Sequence, residues 1–163
     1  RLLLSTAFKY KGPAAVRYPR GTGPNTKVEL NLDSVEIGKG RILREGNKKI
    51  IFLNFGALLH EAISVSNDLN LTLLDMRFVK PLDKEILIKY LTTAELFVSL
   101  EDGSIAGGAG SGVQEFCSEE NIVIKSKLLG IPDIFIEHAS REEMIKDAGL
   151  TAIQIEKTLL PLM

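Results

Sequence analysis

The chain has 163 residues, enough for one ordinary domain plus a piece of another. Hydrophobic residues make up 45% and charged residues 25%, with 20 Lys+Arg against 21 Asp+Glu, so a core can be buried and the near-neutral balance speaks against a nucleic-acid partner. No run of about eighteen apolar residues is present to span a membrane, no basic-then-apolar leader opens the chain, and the single Cys117 excludes an internal disulfide or a CxxC redox pair. The reading is a cytoplasmic protein without a membrane partner.

Arg1 to Lys9 reads as the middle of an amphipathic helix with no cap before it, which is the mark of a fragment. Gly12-Pro13 ends this helix, and Ala14 to Tyr18 reads as a strand. One helix and one strand cannot bury a core, so they are assigned to a domain lying mostly upstream. From Pro19 to about Asn31 the composition turns to Pro, Gly, Asn, Thr and charged residues, which predicts a linker and places the domain boundary there.

Past the linker, Ile37 to Arg44 alternates weakly, Glu45-Gly46-Asn47 is a turn signal, and the pair predicts an edge hairpin leading into Ile50. Four apolar runs follow: Ile50 to Phe55, Leu71 to Met76, Leu96 to Leu100, and Ile122 to Ile124 or a little beyond. Their spacing leaves room for a helix between successive strands, as a βαβ repeat requires. Leu58, Ala62, Val65 and Leu69 mark the first helix; Ile86, Leu87, Tyr90 and Leu91 mark the second. Gly107 to Glu119 forms a third, with Val113, Phe116 and Cys117 inward. Ser140 to Glu143 and Thr151 to Gln154 both fit the capping box, predicting helices near 141–147 and 152–160. The expected fold is α/β: a small, doubly wound, mostly parallel sheet with helices on both faces.

In such a sheet ligand chemistry collects at the carboxyl ends of the strands. Arg77 stands there, two residues past Asp75, in a short loop that Pro81 and the helix-capping Asp83 hold at its far end. Arg17 ends its own predicted strand in Arg17-Tyr18-Pro19-Arg20-Gly21. Two arginines from two domains can converge on one phosphate through forked donors, or they can pair with carboxylates such as Asp75 or Glu101; spacing alone favours pairing. Glu101 to Gly112 is glycine-rich before a helix, an arrangement that exposes amides to an anion, but it matches neither the dinucleotide pattern nor a P-loop nor a nucleophile elbow. Close packing of a helix on the sheet or on a partner subunit is the simpler reading of those glycines. His60 reads as structural or exposed, and His138 as a candidate from a loop. By residues alone the chain is an anion-binding α/β domain.

Taken together, Ala15 to Gly21, Ile37-Gly38-Lys39-Gly40, Asp75 to Asp83, Glu101 with Gly107 to Gly112, and Leu129-Gly130-Ile131-Pro132-Asp133 resemble, in order and spacing, the carboxy-terminal part of the 1-deoxy-D-xylulose-5-phosphate synthase family. The resemblance covers nearly the whole chain. It implies an enzyme with thiamine diphosphate and Mg2+ that decarboxylates pyruvate and joins the two-carbon unit to glyceraldehyde 3-phosphate, for isoprenoid, thiamine and pyridoxal precursors. It further implies that residues 1–25 end a pyrimidine-binding domain, 26–36 are a linker and 37–163 form a transketolase-type C-terminal domain of a homodimer. Arg17 and Arg77 match the arginines that hold the acceptor phosphate, with Tyr18, Arg20, Asp75, Glu101 and His138 as supporting residues. His138 stands in Glu137-His138-Ala139 where the family often has Glu-His-Gly. The cofactor-binding motifs of the family would lie upstream of Arg1, so no catalytic, cofactor-binding or metal residue is expected here, and the fragment alone would be inactive. Two rival readings are a non-catalytic assembly or regulatory module and a part resembling the β-subunit of a 2-oxoacid dehydrogenase.

Overall fold

A computed structural model describes residues 1–19, 21 and 31–163. Five strands form one sheet: β1 (Arg41–Arg44), β2 (Asn47–Phe55), β3 (Leu71–Asp75), β4 (Leu96–Ser104) and β5 (Lys125–Ile131), in the order β1-β3-β2-β4-β5. β3, β2, β4 and β5 run parallel, and β1 lies antiparallel on the outer edge of β3. The helices are α1 (Leu2–Lys9), α2 (Leu59–Asp68), α3 (Lys84–Leu91), α4 (Ala109–Glu119), α5 (Arg141–Asp147) and α6 (Ala152–Leu159).

Strand alternation sends the two sides of β2 into two cores. Ile50 and Phe52 pack with Ala62 and Val65 of α2 and Ile155 and Leu159 of α6, whereas Ile51, Leu53 and Phe55 pack with Leu87 and Leu91 of α3 and Val113 and Phe116 of α4. Helices therefore cover both faces, which is the doubly wound arrangement expected. Buried on both sides, Ile50 to Phe55 of β2, all of β3 and the first half of β4 read as near-continuous apolar runs for that reason. Both capping boxes form, at Ser140 with Glu143 and at Thr151 with Gln154.

Three local expectations fail. Residues 37–50 make no hairpin: β3 is inserted between β1 and β2. Gly46 makes the crossing possible, since a Cβ there would lie 2.5 Å from the Asn70 carbonyl oxygen and 2.6 Å from that of Leu71. The fourth strand is not Ile122 to Ile124. Those residues close the foot of α4 from a loop, with Ile122 N donating to Cys117 O at 2.8 Å, and Ile122 and Ile124 packing on the α3/α4 core. The strand itself begins at Lys125, masked in sequence by the lysines with which an edge strand blunts its exposed side. Finally, Ala14 to Tyr18 forms no strand: it pairs with none of the five strands among the described residues.

The amino-terminal piece is nevertheless anchored. Ser5 Oγ and Lys9 Nζ both donate to Leu32 O, at 2.7 and 2.8 Å, and Val35 N donates to Thr6 Oγ1 at 2.9 Å.

Candidate functional site

The carboxyl ends of β3, β2, β4 and β5 share one edge of the sheet. The chain leaves β2 for α2 on one face and β4 for α4 on the other, so the crevice between β2 and β4 is the topological switch point where ligands of open α/β sheets bind. Register sets Asp75 and Leu100 level with Asn54, on either side of it.

Arg77 sits just beyond β3. Met76 N still donates to Asn54 O, at 2.9 Å, and then Phe78 N donates to Met76 O at 2.5 Å, a reversal centred on Arg77 with φ 57°. A non-glycine residue in this left-handed region is strained by about 1 kcal/mol, and such strain is held only where the surroundings over-determine it. Those surroundings are the far half of the loop and the segment before β1. Asp83 caps α3, accepting from Ile86 N at 3.2 Å, and also accepts from Gly40 N at 2.9 Å. Gly38 has φ 73° and lies against Pro81, where a Cβ would come within 2.9 Å of the proline ring. The Ile37-Gly38-Lys39-Gly40 stretch thus clamps the Arg77 loop, a role its sequence did not announce.

Asp75, with a side chain 9% exposed, lies between two cations: its Oδ2 is 2.9 Å from Arg41 Nε and 3.9 Å from Arg77 Nε. Burial first, and the Arg41 charge second, push the Arg77 pKa down from its ordinary value, and Asp75 opposes both. An arginine so shifted stays charged at neutral pH. The sequence gives no signal for Arg41, since residues 37–50 read as an edge hairpin; only the β1–β3 register puts it opposite Asp75.

Arg17 reaches the end of β4. Its guanidinium lies 3.4 Å from Asp102 Oδ1 and donates to Asp102 O at 3.4 Å. It pairs with neither Asp75 nor Glu101. Its side chain is 67% exposed, so this pairing is weak and solvent-screened.

Glu101 is buried and already engaged. Its two carboxylate oxygens accept from Gly110 N and Ala109 N, each at 3.0 Å, so the anion at the glycine-rich start of α4 is the protein's own. Gly108 and Gly110 are required by packing: added Cβ atoms would strike Ser104 O and the Glu101 carboxylate in one case and Ser99 Oγ in the other. Tyr18 is exposed, His138 is exposed in the loop after β5, and neither joins the ion pairs described. Arg20 lies outside the described residues. His60 is exposed on α2, and Cys117 is buried in the α3/α4 core, where burial raises its pKa.

Among the described residues no group of three or more His, Cys, Asp or Glu side chains is placed to hold a metal ion, and no helix is long and apolar enough to cross a membrane. A groove of about 630 Å³ lies at the opposite edge of the sheet, lined by Lys49, Glu95, Lys127 and Met163 among others. Lys49 and Glu95 answer each other there at 2.7 Å, and none of the candidate residues reaches it.

Residues 38–155 match the family described as transketolase, C-terminal domain. The chain is 48% identical over 159 residues to a 1-deoxy-D-xylulose-5-phosphate synthase of Pseudomonas syringae pv. tomato, and 48% identical over 160 residues to one of Xanthomonas oryzae pv. oryzae. In each case the match takes in 98% of this chain but spans only about a quarter of the relative's length, 25%. Among solved structures, a split-gene transketolase described as an inactive beta4 tetramer superposes with a TM-score of 0.70 at 29% identity, covering 77% of this chain and 42% of that one. The transketolase of Campylobacter jejuni shares the fold with a TM-score of 0.54, at 16% identity over 76% of this chain and 18% of its own.

Proposed function

The chain belongs to the transketolase C-terminal domain family, and from that premise we propose that it is the acceptor-binding, C-terminal part of a 1-deoxy-D-xylulose-5-phosphate synthase. On this reading residues 1–25 close a pyrimidine-binding domain, 26–36 link, and 37–163 form the third domain. What supports the site is that Arg17 and Arg77, from distant parts of the chain, each lie beside a carboxylate toward the carboxyl end of a strand of the same sheet. Asp75 and Asp102, which lie beside Arg77 and Arg17, stand on strands with only β2 between them; Asp75 is level with Leu100, two residues before Asp102, so the two are roughly 12 Å apart at ordinary strand spacing and rise. Two guanidinium groups reaching inward from that separation can share one phosphate, each giving forked donors.

The substrates on this reading are pyruvate and glyceraldehyde 3-phosphate. Thiamine diphosphate with Mg2+ would supply the carbanion chemistry when bound elsewhere in the enzyme. The described residues of this chain offer no metal cluster, and Glu101 is consumed by α4, so no step is assigned to them through either group. What the chain's own residues do is grip. Arg17 and Arg77 fix the phosphate, the part of the acceptor remote from the reacting aldehyde, and this turns binding energy into orientation. The exposed Phe8, Tyr18 and Phe135 suit burial against the rest of such an enzyme or against a second copy in a cytoplasmic homodimer.

The test is steady-state kinetics of the full-length enzyme with Arg77→Ala. The Michaelis constant for glyceraldehyde 3-phosphate rises by about tenfold or more, the worth of one charge-assisted phosphate contact, whereas that for pyruvate changes little. Equal effects on both substrates would count against the assignment.

A further inference from the structure

We propose that Arg41 is a positioning residue: by holding the Asp75 carboxylate it keeps Arg77 out of hydrogen-bonding contact with Asp75 and available to an incoming phosphate. The proposal rests on the acceptor-phosphate reading of Arg77 given above.

One oxygen decides the arrangement. Asp75 Oδ2 lies 2.9 Å from Arg41 Nε, inside hydrogen-bonding range, and 3.9 Å from Arg77 Nε, outside it. A carboxylate with a side chain only 9% exposed has a strong demand for a donor. Arg41 meets that demand from the neighbouring strand, because the antiparallel register sets it directly opposite Asp75. Without Arg41 the demand falls on Arg77, which needs to approach by only about 1 Å to reach bonding distance. Its forked donors would then be spent on the protein's own carboxylate.

Charge supports the same division. Two guanidinium groups around one carboxylate leave a net positive charge at the edge of the sheet, and a phosphate dianion placed there relieves the repulsion between them. Burial first and the Arg41 charge second lower the Arg77 pKa, the direction such repulsion requires. Arg41 itself is 46% exposed, at the sheet edge, so its replacement opens no cavity in either core.

The experiment is acceptor and donor kinetics of the full-length enzyme bearing Arg41→Ala, Arg41→Lys, Arg77→Ala, and the double variant Arg41→Ala with Asp75→Asn, with thermal unfolding as a check on each. Arg41→Ala is expected to raise the Michaelis constant for glyceraldehyde 3-phosphate roughly three- to tenfold, with that for pyruvate held within about twofold. Lysine at position 41 restores part of the loss. Neutralising Asp75 in the double variant restores most of it, because the competing carboxylate is gone; a merely structural role would make the double variant worse. If Arg41→Ala fails to fold, Arg41→Gln replaces it in the same comparison. An unchanged acceptor constant in Arg41→Ala beside a raised one in Arg77→Ala overturns the positioning role and leaves the phosphate reading intact. A loss in Arg41→Ala that Asp75→Asn does not repair also overturns it, since Arg41 would then act by its own contact. An unchanged constant in Arg77→Ala removes the phosphate reading and this inference with it.

Discussion

The carboxylate of Asp83 accepts the Gly40 amide at 2.9 Å, and this bond ties the segment before β1 to the loop that carries Arg77. The other oxygen of the same group caps α3 at Ile86 N. Asp83 is buried, so both bonds are sheltered from water. Asp83→Ala is expected to destabilise the chain by about 1–2 kcal/mol, mostly from the lost cap and the rest from the part-buried Gly40 amide left without its acceptor. Asp83→Asn, which keeps one acceptor for the cap, costs less. Chemical unfolding of the two variants ranks them, and a loss below about 0.5 kcal/mol in the alanine variant would contradict the double role.

Three glycines of one helical segment answer differently to the same substitution. At Gly110 an added methyl meets Ser99 Oγ and, at 2.9 Å, Leu128 Cδ2; at Gly108 it meets Ser104 O and the Glu101 carboxylate; at Gly112 nothing lies within 4 Å. Gly108→Ala and Gly110→Ala are therefore expected to cost about 1–3 kcal/mol by overpacking. Gly112→Ala stabilises by about 0.5–1 kcal/mol, since alanine loses less backbone freedom inside α4. Thermal unfolding of the three variants distinguishes packing from loop flexibility as the reason for the glycine-rich stretch.

Arg17 tests the difference between a fork and a point charge. Its only described partner is Asp102, so Arg17→Lys is expected to leave stability within about 0.5 kcal/mol while raising the acceptor Michaelis constant severalfold in the full-length enzyme, because lysine cannot give paired donors to phosphate oxygens. A lysine variant with unaltered acceptor kinetics would show that the position supplies charge alone.

The capping box of α5 carries a pH dependence whose sign is set. Glu143 Oε2 accepts from Ser140 Oγ at 2.7 Å and from Ser140 N at 3.0 Å, and these bonds, the hydroxyl first, hold the Glu143 pKa below its ordinary value. A depressed carboxylate contributes stability that is present above its unfolded pKa and is lost as pH falls through the folded one. Amide exchange in residues 141–147 should accelerate below about pH 4.5 relative to the sheet, and Ser140→Ala, which removes the hydroxyl but keeps the backbone N–H, should weaken that dependence.

Much of this is legible in the sequence. The apolar runs of β2 and β3, the helical spacing of Leu58 to Leu69, the two capping boxes and the Asp83 cap are local signals, written within a few residues of where they act. Arg77 could be singled out for the same reason, since an arginine between a strand end and a proline is visible in sequence. Its partner Arg41 could not be. The insertion of β3 between β1 and β2, which puts Arg41 opposite Asp75, depends on long-range pairing, and side chains far apart in the chain meet only when strand order and register are settled. The same holds for Arg17, whose carboxylate neighbour is Asp102 rather than Asp75 or Glu101, and for Glu101, whose carboxylate turns back to α4 through amides that no spacing rule identifies. Sequence determined the helices and the buried strands β2, β3 and β4, because those follow from local sterics and periodic burial; tertiary structure alone decided the strand order, the place of β5 and which charges face one another, because those depend on pairing and distance across the sheet.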